Sequence, residues 1–381
     1  MKVLVNAQPL LTKKTGVGNY VLKISEEFLK TCPGNEFSFY YGGVSVNSLD
    51  FALAGMGGIK KMEGLRKFIM QIPKVRGLYG RVKKLASRRA LSMQEFDVYF
   101  ETNFVPELSV KAGKTVIMVF DLSFLNRDWT PDYRFKFFSE NFEKNISRAD
   151  LILTCSETIK REIIDRYGYP EQKVKSVYLG LDFNVFNLNK NASVNTGLSG
   201  KYILYVGSIQ PRKNIQGLLE AYRNLPPALK AEYKLALVGF DSWNTDKKAL
   251  TADGNIKLIE SVEDDRVLAE IYRNASLFVM PSFYEGFGFP PLEAMACGCP
   301  VVSSTGGSLP EICGEGALYF NPHSIPELAA RMEEVLSSEM LSSSLREKGL
   351  KTAERYTWEK CGKETLKVFR DILKQRNESF E

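Results

Sequence analysis

PSFYEGFGFPPLEAMACGCPVV, residues 281–302, decides the fold class. The apolar run Leu277-Phe278-Val279-Met280 just ahead of it reads as a buried strand, and Val301-Val302 begins another. Between them a loop of alternating Gly and Phe runs into Pro290-Pro291. Proline suits a first helical turn, where an amide proton has no intrahelical partner. Gly298 stands where a helix C-terminus favours a left-handed residue, with Pro300 just beyond. The unit is strand, Gly loop, helix, strand, as in an open α/β sheet.

That geometry implies chemistry. Ligands of open α/β sheets bind outside the carboxyl ends of the strands, and this loop leaves such an end. Gly286 and Gly288 lack a Cβ, so backbone can come close to a ligand. Free amides at the helix start favour an anion or a row of hydroxyls. Glu285 and Glu293 stand on either side of the loop and face one cleft. An ionised carboxylate only accepts hydrogen bonds, which suits the vicinal hydroxyls of a sugar or ribose. Two glutamates alone would equally fit a tight turn plus a helix-start residue favoured by the macrodipole. The glycines, aromatics and paired prolines favour the site.

Working outward, alternating strands and helices form two separate runs. In the first, Lys2–Asn6, Phe37–Tyr41, Val98–Phe100, Thr115–Phe120, Leu151–Thr154 and Val174–Val177 read as strands. Helices are expected over Asn19–Lys30, after Gly16-Val17-Gly18, and over 134–147 and 156–167. In the second, Tyr202–Val206, Lys234–Val238 and Ile256–Ile259 are strands, with helices over 214–224 and 264–274. Residues 180–199, rich in Asn, Gly and Ser, read as a linker. Residues 358–376 form a charged amphipathic helix. The expected organisation is an N-terminal Rossmann-like domain over 1–179, the linker, a second such domain over 200–357, and a terminal segment over 358–381. Two doubly wound α/β domains would face each other across a cleft.

Composition fits a globular enzyme: 44% of the 381 residues are apolar and 25% charged. No apolar stretch approaches the roughly 20 residues needed to span a bilayer. MKVLVNAQPLL reads as a first strand rather than a signal peptide. Six scattered cysteines with no Cys-x-x-Cys pair, and a single histidine, argue against zinc and for reduced thiols in the cytoplasm. The net charge of +6 is uneven: residues 57–89 carry eleven Lys and Arg against Glu63 alone, interleaved with apolar side chains. Such mixing suits an anionic membrane surface, each cation contributing about 1 kcal/mol. A solvated excursion is the plainer alternative, since Pro73 and Gly77 forbid one long helix. No nucleic-acid fold accompanies the patch, so nucleic acid is not an expected partner.

Arg212-Lys213-Asn214 follows the strand that ends at Val206-Gly207-Ser208, and Asn214 is placed to cap the next helix. Two cations at a helix N-terminus oppose the macrodipole unless an anion sits between them. A diphosphate would satisfy both, Arg212 forking onto oxygens and Lys213 acting as a point charge. Two solvated surface cations are the ordinary alternative.

VGSIQPRKN (206–214) with EGFGFPPLEAMACGCPVVSS (285–304) resembles glycosyltransferase family 4, the bacterial group 1 enzymes, which are retaining and of GT-B fold. Asp121-Leu122-Ser123-Phe124-Leu125, Arg148-Ala149-Asp150-Leu151-Ile152 with Ser156-Glu157, Gly306-Gly307-Ser308-Leu309-Pro310-Glu311-Ile312 and Tyr356-Thr357-Trp358 extend the similarity over nearly all of the chain except the basic excursion. The resemblance implies transfer of a hexose or 6-deoxyhexose, such as mannose, glucose or rhamnose, from a nucleotide-diphosphate sugar to an acceptor hydroxyl. It implies that Arg212 and Lys213 hold the diphosphate, Glu293 the ribose, and Glu285 with the amides of Gly286, Phe287, Gly288 and Phe289 the donor sugar. Gly16, with Gly18, would approach the phosphates from the acceptor side. Val262 and Leu268 would cover the base, and Ser208 and Asp121 complete the donor pocket. The final helix would cross back onto the N-terminal domain. No cofactor and no metal are expected. The acceptor would be a glycan, in particular a lipid-linked one, at the inner face of the plasma membrane, in cell-surface polysaccharide synthesis.

One position departs from the pattern. Family members commonly carry His before the aspartate that is Asp121 here; this chain has Phe120, an acceptor-side candidate. Its only histidine, His323, reads as a surface residue before a helix. An apolar Phe120 would leave a sugar 6-hydroxyl unpaired, which favours a 6-deoxy donor. It would otherwise mark a non-catalytic GT-B scaffold. A GT-B sugar-nucleotide epimerase would need more acid/base side chains. A nicotinamide oxidoreductase would need a third glycine after Gly16-Val17-Gly18. Asp-x-Asp is absent, so a metal-bridged GT-A diphosphate site is not supported.

Overall fold

A computed structural model of the chain describes residues 1–11, 16–32, 34–41, 44–47, 49, 94–103, 110–189, 194–239 and 254–377. The basic segment 57–89 lies outside the described residues.

The N-terminal half comprises β1 (Lys2–Asn6), α1 (Gly16–Thr31), β2 (Glu36–Tyr41), β3 (Val44–Val46), β4 (Glu95–Glu101), β5 (Lys111–Val119), α2 (Asp132–Ile146), β6 (Leu151–Thr154), α3 (Glu157–Tyr167) and β7 (Val174–Ser176). Their sheet runs in the order β3-β2-β1-β4-β5-β6-β7, parallel except for the β2–β3 pair. The C-terminal half comprises β8 (Lys201–Val206), α4 (Ile215–Arg223), α5 (Pro227–Glu232), β9 (Tyr233–Val238), β10 (Ile256–Ile259), α6 (Asp265–Asn274), β11 (Leu277–Met280), α7 (Phe289–Ala296), β12 (Val301–Ser304), α8 (Leu309–Cys313), β13 (Ala317–Phe320), α9 (Ile325–Ser337) and α10 (Glu339–Ala353). Its sheet, β10-β9-β8-β11-β12-β13, is parallel throughout. The strand order reverses beside β1 in one sheet and beside β8 in the other, the doubly wound pattern. The fold is GT-B.

Parallel strands covered on both faces need unbroken apolar runs, and the central strands have them. Val3, Leu4 and Val5, Val116 to Val119, and Leu277 to Met280 are all fully buried. The α7 terminus closes as its glycine requires. Gly298 has φ 72°, its N–H donates to Met295 O, and the Cys299 N–H donates to Ala294 O. Those two bonds form a Schellman motif.

α11 (Trp358–Asn377) returns to the N-terminal half and packs on α1. The Phe369 ring lies 5.9 Å from Phe28 and 5.2 Å from Phe100, and Leu366, Phe369 and Ile372 are buried. Each such side chain contributes about 1.5–3 kcal/mol. Together they make α11 a fixed part of the N-terminal core.

The stretch expected to be a plain linker is packed in part. Leu181 donates its N–H to Tyr356 O and bridges Thr357, and Lys23 pairs with Asp182 at 2.9 Å. Arg273 binds the carbonyls of Val185 and Asn187, and Phe186 is buried against Tyr272. A Cβ on Gly180 would lie 2.2 Å from Trp358 N. The two passages of chain between domains therefore run side by side. Polar composition concealed this, because backbone carbonyls and two apolar side chains make the contacts. Among the described residues no helix is long and apolar enough to cross a membrane.

Candidate functional site

The loops that leave β8 and β11 flank the reversal point of the C-terminal sheet, where a crevice opens. After β8 the chain makes a single 3-10 turn, Pro211–Lys213, that carries both cations. The Phe283 N–H donates to Arg212 O at 2.8 Å and joins this turn to the Gly loop. Glu285 then meets both cations: Arg212 Nη1 donates to Oε2 at 2.9 Å and Lys213 Nζ to Oε1 at 2.6 Å. All three side chains are largely buried, so they are not a pair of solvated surface cations.

Burial alone would raise the Glu285 carboxyl, but Arg212 and Lys213 outweigh it and hold the group down at about 2. Burial pushes the Lys213 ammonium below its usual range, Glu285 opposing and Arg212 assisting. Arg212, for which Glu285 and Asp121 overcome the cost of burial, is held more firmly protonated. The anion expected between the cations is, in this state, a carboxylate of the neighbouring Gly loop. Asn214 departs from expectation too. It adopts φ 52° and makes no side-chain cap; its Nδ2 donates instead to Pro281 O and Pro322 O. Its amide is spent tying three loops together.

Among the described residues, no protein acceptor takes the N–H of Gly286, Phe287 or Gly288. Gly288 has φ 108°, and the prolines at 290 and 291 carry no N–H, so the free amides end at Phe289. Four consecutive amides at a helix start are a cradle for oxygen atoms. The rings of Phe287 and Phe289 face inward instead, onto Tyr356 and Trp358. Glu293 lies in α7 and accepts from the Tyr272 hydroxyl at 2.8 Å. Burial, and then the Glu293 charge, push the Tyr272 phenol up. Val262 follows β10 and Leu268 lies early in α6, both half-buried. Ser208 directly follows Gly207, and its carbonyl accepts from the Tyr205 hydroxyl at 3.0 Å.

The N-terminal half meets this loop directly. A Cβ on Gly286 would sit 2.0 Å from Phe120 O, so the close approach of the halves admits only glycine there. The Ser156 hydroxyl and Cys155 thiol donate to Gly286 O at 3.0 and 3.1 Å. Asp121, at the same junction, is bound by Ser123 and lies close enough to influence both cations. Phe120 is half-buried and packs edge-on against Tyr20, ring centroids 5.1 Å apart. Gly16 opens α1, and Gly18 is buried two residues before Tyr20. Glu311 accepts from Thr158 N and Oγ1 and from Glu157 N at the start of α3.

Arg212, Lys213, Glu285 and Asp121 are thus brought together, with Phe120 against the adjoining glycine. Glu293 forms a second polar point with Tyr272. Sequence reasoning missed Tyr272, Tyr284, Glu162 and Trp129. The Tyr284 hydroxyl donates to Glu162 Oε2 at 2.6 Å and accepts from Leu122 N at 3.2 Å, and its ring stacks on Trp129. Tyr284 adjoins Glu285, which was a usable signal; Glu162 is 122 positions away and carried none.

Residues 189–352, within the C-terminal half, match the family model of glycosyl transferases group 1. The chain is 29% identical to O-antigen chain mannosyltransferase B of Escherichia coli, over 97% of this chain and 100% of that protein. It is 30% identical over 281 residues to the serotype-specific mannosyltransferase WbdA of Escherichia coli, covering 70% of this chain but 34% of that protein. Sucrose-phosphate synthase of Thermosynechococcus elongatus superposes with a TM-score of 0.70 at 18% identity, over 98% of this chain and 99% of that one.

Proposed function

We propose that this chain is a retaining group 1 glycosyltransferase of the family 4 type. It would move a hexose or 6-deoxyhexose from a nucleotide-diphosphate sugar to a hydroxyl of a glycan during cell-surface polysaccharide synthesis. One observation carries the reading: Glu285, clamped by Arg212 and Lys213 at 2.9 and 2.6 Å, beside a row of unpaired amides at a sheet's reversal point. The likeness to mannosyltransferases named for O-antigen chains supports the glycan setting and favours mannose among hexoses.

The chemistry follows from charge. When the bond between anomeric carbon and diphosphate oxygen breaks, negative charge builds on the departing oxygen. Arg212 and Lys213, already oriented and sheltered from water, would stabilise it without reorganising. Glu285 and the amides of Gly286 to Phe289 would hold sugar hydroxyls, and Glu293, oriented by Tyr272, the ribose. The acceptor oxygen would bond to the anomeric carbon on the face the diphosphate leaves, and its proton would pass to a diphosphate oxygen. No side-chain base is then required, so Phe120 does not favour the scaffold reading. A lipid-linked acceptor, with residues 57–89 on an anionic membrane, would complete the setting.

The test is nucleotide release from a panel of sugar nucleotides, with and without a glycan acceptor. Arg212→Ala and Lys213→Ala are each expected to lower kcat about 10²–10³-fold, as removal of one oxyanion-stabilising donor does. Release from no donor, or full turnover in both variants, overturns the proposal. Anionic against neutral vesicles in a flotation assay test the membrane contact.

A further inference from the structure

Beside the donor loop the C-terminal domain opens a cavity of about 480 Å³ at the carboxyl ends of β11, β12 and β13. That volume lies in the range of about 300–1,000 Å³ typical of small-molecule sites. Its lining includes Phe283, Thr305, Tyr319, Asn321, His323 and Glu327, all from this one domain, and no Lys or Arg. The cavity therefore does not depend on domain closure.

One wall is aromatic: the rings of Phe283 and His323 stack at 5.0 Å and 27°. The opposite chemistry is polar and uncharged except for one carboxylate. Glu327 Oε2 accepts from Asn321 N at 3.0 Å, and among the described residues Oε1 has no protein partner. Thr305 and Asn321 are exposed and offer a hydroxyl and an amide. A phosphate or carboxylate ligand would bring its charge against Glu327 with no cation in the lining to offset it, because Arg331, one turn further along α9, is engaged by Tyr319 O and Glu334. A pyranose suits the lining better. Its apolar C–H face meets an aromatic face that is electronegative, and its hydroxyls donate to a carboxylate.

The wall is continuous with the donor site. Gly307 lies so near Glu285 that a Cβ there would be 2.4 Å from Glu285 O, and the Ser308 N–H donates to the same oxygen at 2.8 Å. Asn214, next to Lys213, binds Pro281 O and Pro322 O on either side of the aromatic pair. We infer that this cavity is a subsite for a neutral pyranose of the acceptor glycan, separate from the donor pocket and away from the reacting hydroxyl. The inference rests on the glycosyltransferase reading for the source of the sugar, and on the lining alone for its chemistry.

The experiment uses the full chain and neutral mannose oligosaccharides of two to five units. Saturation-transfer NMR without nucleotide should detect binding to the wild type. His323→Ala and Glu327→Gln should each weaken it about tenfold. In steady-state assays both variants should raise KM for the longer oligosaccharides about tenfold and leave KM for the sugar nucleotide unchanged. Circular dichroism melts check that the variants fold. Oligosaccharide binding unaffected by both substitutions, or tighter binding of a free nucleoside at His323, overturns the subsite. Absence of turnover with any donor defeats the glycosyltransferase reading, and the NMR measurement then still decides the subsite.

Discussion

The Tyr284 hydroxyl donates to Glu162 Oε2 at 2.6 Å, from the residue adjoining Glu285 in one domain to a carboxylate on α3 in the other. The Tyr284 carbonyl meanwhile accepts from Arg212 Nη1. One residue thus reports on both the cation cluster and the closed cleft. Tyr284→Phe deletes the hydroxyl alone. Losing its bond to the carboxylate, about 1.5–3 kcal/mol, together with the bond from Leu122 N, should move the closing equilibrium about tenfold or more toward open. Small-angle scattering should show a larger radius of gyration at unchanged secondary structure, with kcat lowered by a similar factor. A variant as compact and as fast as the wild type would remove Tyr284 from the closing mechanism.

Glu285 ties stability to acid. Its folded-state carboxyl is held down at about 2, against about 4.3 in an unfolded chain. A depressed carboxyl stabilises the fold above the unfolded value, and that contribution is lost as pH falls toward about 2. Glu285→Gln strands two buried cations and should cost about 3–5 kcal/mol at neutral pH. Denaturant titrations at successive pH values should show the gap between wild type and variant narrowing from about pH 4.5 downward. A gap of constant size across that window would falsify the assignment.

Gly286→Ala tests whether the closed arrangement is the working one. The new Cβ would lie 2.0 Å from the Phe120 carbonyl oxygen and 2.7 Å from Asp121 Cβ, neither of them at the end of a flexible side chain. The domains would have to stay apart, and misplacement of the reacting groups by about 1 Å costs about 10²-fold. Turnover should fall by that order while the melting temperature changes little. Gly34→Ala, with open space around its Cβ, is the matched control.

Phe120 is the position that bears on donor choice. Its ring leans on Tyr20 and offers no hydrogen bond to a sugar 6-hydroxyl. Leaving a buried hydroxyl unpaired costs about 1–3 kcal/mol, so 6-deoxyhexose donors should outcompete their hexose counterparts about tenfold or more in kcat/KM. Phe120→His should narrow that ratio. Clear preference of the wild type for hexoses would end the 6-deoxy reading.

The fold was legible where physics is local. Buried parallel strands are dominated by apolar residues, so Leu277–Met280 and Leu151–Thr154 have the bounds their composition suggests. The α7 ends were readable from Pro290-Pro291 and Gly298, because each enforces its backbone geometry without help. α9 and α10, by contrast, went unread between 325 and 353, where serines and glutamates interrupt the apolar face. The site was legible as residue types, not as partnerships. Nothing local announces that Glu285 would neutralise Arg212 and Lys213, about 70 positions earlier. Nor does anything near Glu311 announce Thr158 in the other domain. Asn214 misled for the same reason: its type suits a cap, but distant carbonyls claimed its amide.

The seam between α1 and α11 makes the N-terminal domain discontinuous along the chain. Phe28 and Phe100 meet Phe37 and Tyr20 within the N-terminal half and add Phe369 from the last helix described. As the polypeptide leaves the ribosome, the part of this core that α11 covers can therefore be completed only after the whole second domain has been made. During that interval the strip of α1 that α11 covers is exposed to solvent, an apolar patch on an otherwise formed domain.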